Sequence, residues 1–286
     1  MGPNPRDLST LVEKNLEIPT IPVVAAEALQ ALANADVSAT ALSKIISQDH
    51  GLTARLLKLA NSALYSPARE VRNIPQACMT LGFRVLKGVV VAASCRSIYK
   101  QFGAVEKILW QHSVGCAVAA NFLARAKRIP NADEAFVSGL MHDVGKVVMN
   151  QGDRKKFEKA MSTADADRLT TLDAEIAVFG FTHADVGAVL VKRWELSPHL
   201  QQAVLFHHEP DLASSLAEES VDLVRVTNAG DLLCHKLGLG TKARAQAQDE
   251  LDESQALIEL GFDPEDMTDV EAKIIAAYSA DRGTLD

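Results

Sequence analysis

From Leu52 to Val89 the apolar residues of this chain return every three or four positions, and that periodicity excludes most folds. Leu52, Leu56, Leu59, Ala60 and Ala63 share one helical face, leaving Arg55 and Lys58 for solvent. Ile74, Ala77, Cys78, Leu81, Val85 and Val89 form a second such face. A half-buried strand would alternate by two instead. The composition agrees: 48% of residues are hydrophobic, dominated by Ala, Leu and Val, while aromatics make up only 5%, which favours helices packed on helices over a β-sandwich. We therefore expect an all-α protein. Its 286 residues suffice for one large domain or two modest ones.

Punctuation marks the helix ends. The run Ile18-Pro19-Thr20-Ile21-Pro22 cannot be helical throughout, and Pro22 suits the first turn of the next helix. Ser38 is an expected N-cap, and Gly82 an expected break or close helix contact. Residues 150–170 are polar enough to expect a solvated connection, and 242–253 a polar helix or linker. The net charge of −8 argues against gripping nucleic acid phosphates. The longest apolar run, near Val89 to Ala93, is too short to span a bilayer, so no membrane partner is expected. Cys78, Cys95, Cys116 and Cys234 show no C-x-x-C pairing and read as reduced core residues of a cytoplasmic protein.

Ionisable residues lie where burial is expected. His142 and Asp143 sit side by side inside Gly139-Leu140-Met141-His142-Asp143-Val144-Gly145-Lys146. Buried charges need partners, and a shared metal ion is one. If both residues are helical they lie about 100° apart, with Ser138 and Gly139 one turn back leaving room for an ion. His112 follows Ile108 and Leu109 on one face, and Thr182-His183-Ala184-Asp185 has capping-box spacing, so His183 would point inward from a first turn. His207 and His208 end an apolar helix, and Asp231 shares a face with Val224 and Thr227. Each has an alternative: a core histidine bonded to a carbonyl, a helix-end Asp-x-Gly, or terminal histidines favoured by the helix dipole. Asp231 has no obvious local cation, and His235, one turn on, reads as structural.

Several motifs resemble the HDOD family: Ile18-Pro19-Thr20-Ile21-Pro22, then Ile46-Ser47-Gln48-Asp49-His50-Gly51-Leu52-Thr53-Ala54-Arg55-Leu56-Leu57, Leu59-Ala60-Asn61-Ser62-Ala63-Leu64-Tyr65, Ile74-Pro75-Gln76-Ala77 and Leu81-Gly82. His50 stands where that pattern more often has proline, which reads as a surface loop substitution. The resemblance implies a helical N-terminal subdomain, here 1–102, packed on an HD-like helical bundle, here 103–286. It also implies a role as a signalling output module with protein partners.

The order His112, His142-Asp143, His183, His207-His208, Asp231 resembles the HD superfamily of metal-dependent phosphohydrolases. By that resemblance His112, His142, Asp143 and Asp231 would bind a first divalent ion. Asp143 would bridge to a second held by His183, His207 and His208. Such mixed ligands suit Fe, Mn or Zn better than Mg. Asp143 and Lys146 would serve catalysis, with Lys146 balancing phosphate charge of a nucleotide or other phosphoester. A solvated lysine near a helix end is the alternative reading of Lys146. The Gly-Tyr-Pro signature of the cyclic di-GMP phosphodiesterase branch is replaced by Glu209-Pro210-Asp211, which argues against that substrate.

Overall fold

The computed structural model describes residues 5–62, 65, 67–99, 103–129, 132–167, 170–240, 251 and 254–285, and every regular element among them is helical. The N-terminal helices are α1 (Pro5–Asn15), α2 (Val23–Leu32), α3 (Ala39–Ile46), α4 (His50–Ala60) and α5 (Ile74–Cys95). Then come α6 (Ala104–Ala126), α7 (Ala132–Met141), α8 (Val144–Gly152), α9 (Arg154–Asp167) and α10 (Thr171–Phe179). The chain continues through α11 (His183–Arg193), α12 (Pro198–Phe206), α13 (Glu218–Leu237), α14 (Gln255–Glu259) and α15 (Pro264–Leu285). The boundary expected after residue 102 falls at 100–102, and most of the linker expected over 242–253 likewise falls outside the described residues.

Local chemistry starts these helices where the sequence indicates. Ser38, Asp49, Asn73, Thr170, Thr182, Ser197 and Ser254 each accept a backbone N–H in the first turn of the helix they precede. Thr182 and Asp185 complete a capping box, Asp185 accepting from the Thr182 N–H at 2.8 Å. Pro22 is the cap residue of α2, one position earlier than expected. His50 is the first residue of α4, so it occupies a helix start, where proline is equally at home, and not a surface loop.

Gly82 breaks α5, with φ +78° and ψ 161°. The 22-residue helix is thus two segments, and the second buries Val89 to Cys95 completely in the core. Residues 154–167 are not a connection but a helix, because Phe157 and Ala160 give its polar sequence a narrow buried stripe.

At the centre lies α6, buried on every side from Trp110 to Asn121, with α7 and α13 packed along it. The expected inward face through Ile108 is corrected here: Ile108 is exposed, because the first turns of α6 bury the face that carries Glu106 and Trp110 instead. Around this core α8 packs on α11, α11 on α12, and α12 on α13, while α5 covers α7. One continuous apolar cluster runs from Val12 to Tyr278. The end of α7, the starts of α8 and α11, the end of α12 and the interior of α13 at Asp231 consequently meet beside His112.

Candidate metal centre

His142 and Asp143 do not lie on a helix. They form the two-residue turn between α7 and α8, so the 100° expectation fails and both side chains point to the same interior. Gly139 does not leave room for an ion either: a Cβ there would fall 2.5 Å from the Cys116 carbonyl oxygen, so its absence lets α7 lie on α6. Ser138 is occupied by a 2.8 Å hydrogen bond to Thr227 Oγ1. On the other side of the turn, a Cβ on Gly145 would fall 1.9 Å from the His183 carbonyl oxygen. That contact brings the first turn of α11, and His183 with it, against Asp143.

The seven residues singled out as ligands converge into two adjoining groups. His112, His142 and Asp231 offer donor atoms within 4.8 Å of one another, as do Asp143, His183, His207 and His208. Asp143 faces both groups. Its Oδ1 lies 3.2 Å from His183 Nε2 and 3.9 Å from His207 Nε2. Its Oδ2 lies 3.5 Å from His142 Nε2 and 3.9 Å from His112 Nε2. Asp231 Oδ1 lies 2.9 Å from His112 Nε2 and 3.7 Å from His142 Nε2.

The orientation of the imidazoles is fixed from behind. His142 Nδ1 lies 2.7 Å from the Gly139 carbonyl, and His207 Nδ1 lies 2.8 Å from the Val204 carbonyl. A carbonyl can only accept, so both Nδ1 atoms carry the proton and both Nε2 atoms present a lone pair to the interior. His183 is held the same way: its Nδ1–H and its backbone N–H both donate to Glu175 Oε2 at 2.7 Å. Metal-ligating histidines are characteristically anchored like this.

The three Nε2 atoms of His183, His207 and His208 crowd together, at 3.4 Å between His183 and His207 and 3.1 Å between His183 and His208. Lone pairs at such separations repel unless a cation or proton lies among them. His142 Nε2 and Asp143 Oδ1 are buried with no hydrogen-bond partner. Unsatisfied buried acceptors cost free energy, so the donor set fits a cation.

Electrostatics agree with that assignment. Burial pushes the pKa of His142 down, that of His207 far down, and that of His208 to about 3, with neighbouring imidazoles adding to the effect on the last two. Neutral imidazoles are what a metal needs. Burial also opposes protonation of His112, but the Asp231 carboxylate overrides it and raises the pKa. Asp143 and Asp231 stay ionised: burial works against the charge, while Lys146 and the imidazoles around Asp143, and the hydrogen bond from His112 to Asp231, hold both pKa values well below the usual range.

Three details differ from expectation. Lys146 is neither a solvated lysine nor near the end of its helix; it is in the first turn of α8, and its Nζ donates to Asp143 Oδ2 at 2.7 Å. His235 joins the site, with Nε2 3.3 Å from Asp231 Oδ1 and its ring 4.9 Å from that of His112. Asp231 thus has imidazole partners on its own helix and on α6. Glu175, fully buried, was not foreseen at all. Its signal was an acid inside the apolar stretch Ala174-Glu175-Ile176-Ala177-Val178-Phe179. Lys146, His208 and His235 are the least buried members of the site and define its open side.

Comparison with known proteins places this geometry among relatives. The family model for the HDOD domain matches residues 18–210. The crystal structure of an HDOD domain protein of unknown function from Geobacter sulfurreducens superposes with a TM-score of 0.78 at 28% identity, covering 96% of each chain. That of a candidate phosphohydrolase from Shewanella amazonensis superposes with a TM-score of 0.77 at 24% identity over 98% of each chain, a likeness of fold. An uncharacterised protein of Treponema pallidum is 27% identical over 208 residues, which are 70% of this chain and 39% of that relative.

Proposed function

Because this chain belongs to the HDOD family, we propose that it is a bacterial signal-transduction output protein whose helical bundle carries a divalent metal centre. The observation behind this reading is the anchoring of His142, His183 and His207 through Nδ1, which aims three lone pairs at two adjoining donor groups. His112, His142 and Asp231, with Asp143 Oδ2 beside them, would hold one ion. Asp143 Oδ1, His183, His207 and His208 would hold a second. Mixed imidazole and carboxylate donors favour Fe, Mn or Zn over Mg. Four buried thiols suit a cytoplasmic setting. The helices of 1–102 would relay the state of the bundle to a partner protein.

The open side of the site supports a second reading, a metal-dependent phosphohydrolase. Ions held there would supply Lewis acidity to a phosphoester. Lys146 stays charged, since burial's tendency to neutralise it is outweighed by Asp143. It would meet the phosphate at the mouth, beside half-buried His208 and His235.

Elemental analysis of protein purified without chelator tests the centre; no transition metal beyond a trace, even after reconstitution, would remove it. The metal-loaded protein is then assayed against phosphomonoesters, nucleotides and cyclic dinucleotides. Turnover lost in folded His142→Ala and Asp143→Ala variants selects the enzyme. Bound metal without turnover selects the regulator.

A further inference from the structure

A pocket of about 370 Å³ lies where the end of α1 meets the first turn of α6 and the last turn of α8, a volume within the range of small-molecule sites. Glu106 precedes His112 by six residues on α6, and Asn150 follows Lys146 by four on α8. The pocket therefore lies about one to two helical turns along from the metal centre. The N-terminal segment is seated firmly beside it: Leu16 lies directly against Gly152, where a Cβ would strike it.

What lines the pocket is a surplus of acceptors. Glu106 is buried, and its two hydrogen bonds come from neutral groups, the Gly103 N–H at 3.0 Å and Asn150 Nδ2 at 2.7 Å. Buried charges are ordinarily paired, yet among the described residues no cationic side chain is in ion-pair contact with this one. Three amides stand on the same wall, and each spends its NH2 on the protein. Asn15 Nδ2 donates to the Leu11 carbonyl at 2.8 Å, Gln151 Nε2 to the Ile98 carbonyl at 2.6 Å, and Asn150 Nδ2 to Glu106. Carbonyls and carboxylates only accept, so these contacts fix which end of each amide is the nitrogen and leave the oxygen over. The Asn150 oxygen is buried with no hydrogen-bond partner, a costly arrangement that a donor would relieve.

Glu17 adds a second carboxylate at the exposed rim. Arg154 is the one cation among the described lining residues, and its Nε donates to Glu158 Oε1 at 3.0 Å. Two carboxylates and three amide oxygens are complementary to a group that carries several N–H donors and a positive charge. We propose that this pocket binds a small organic cation, whose ammonium or guanidinium group is set against Glu106 and Asn150. The ligand would tie the segment after α1 to α6 and α8, and it needs no metal to do so.

Calorimetric titration of the full chain tests this, with putrescine, agmatine, spermidine, arginine and lysine as ligands and butanediol as the uncharged control. At least one amine is expected to bind with a Kd below about 1 mM, and more weakly at high salt. Glu106→Gln keeps the shape and removes the charge, and should weaken binding about tenfold or more. Because Glu106 is buried, Glu17→Lys supplies a second variant at an exposed position, with a loss of about fivefold or more expected. Asp36→Lys, also exposed and equal in charge change but outside the pocket, should bind as the parent does. The amine should also raise the thermal midpoint of the parent chain, and raise that of Glu17→Lys less. The proposal is overturned if no amine binds below about 1 mM, or if butanediol binds as tightly. It is equally overturned if Asp36→Lys weakens binding as much as Glu17→Lys, or if Glu17→Lys and Glu106→Gln both keep the parent's affinity.

Discussion

At the scale of the residue, the site is a problem of proton placement. Glu175 decides the tautomer of His183 by taking both of its nearest N–H groups. Glu175→Gln keeps the shape but gives His183 a neutral, weaker acceptor. We expect metal affinity to fall by roughly ten- to a hundredfold with helicity unchanged, read by competition titration with a chelating dye. Stability should depend on pH once the metal is chelated away. Above about pH 6.5, His142, His207 and His208 are neutral in the folded and unfolded chain alike. Below that, the unfolded chain takes up protons that the folded chain, with its depressed pKa values, refuses, so stability falls with pH. His112 runs the other way: its raised pKa contributes stability below about pH 6.5 that is lost as pH rises through the folded value. Three histidines outweigh one, and the thermal midpoint should be lower at about pH 5 than at about pH 7.5. A midpoint that holds or rises at the acid end would contradict this.

At the scale of the element, the site depends on how closely α8 approaches α11. Gly145→Ala would drive a methyl group into the His183 backbone carbonyl, which no side-chain rotation can relieve. The two helices must separate, and we expect a loss of about 2 kcal/mol or more in denaturant unfolding together with loss of metal binding. The element scale also separates what the sequence showed from what it hid. Caps and periodicity were legible, because Ser38, Thr182 and the Leu52–Ala60 face act through neighbours three or four residues away. The His142-Asp143 turn was legible only as one alternative, the helix-end Asp-x-Gly, since Val144 to Gly152 continues the apolar pattern beyond it. Glu175 was hidden. It reaches His183 only because α10 ends at Gly180 in the left-handed region and α11 leaves at 78°, a bend that periodicity cannot report. The helix over 154–167 was missed because Phe157, Ala160 and half-buried Met161 are a sparse apolar stripe in an otherwise polar stretch.

At the scale of the whole molecule, metal binding and folding should be one event. The ligands come from α6, α11, α13 and the turns after α7 and α12, so neither donor group is complete until helices distant in sequence have packed. A ligand at a hundred times its Kd adds about 2.7 kcal/mol to the folded state. Chelation should therefore lower the midpoint by roughly 5 °C or more. The melt should stay a single transition, because one apolar cluster joins the N-terminal helices to the bundle. Two resolved transitions would show that they unfold independently.

That union has a clasp. The Trp194 indole N–H, at the end of α11, donates to the Pro19 carbonyl at 3.0 Å across 175 residues of chain. During synthesis at about 5–20 residues per second, Pro19 waits roughly ten to thirty seconds for that partner to be made. Until then Leu16 and Ile18, both buried in the finished protein, have only part of their packing. The stretch around Pro19 can therefore dock fully only once α11 is made, which ties together segments that leave the ribosome far apart in time.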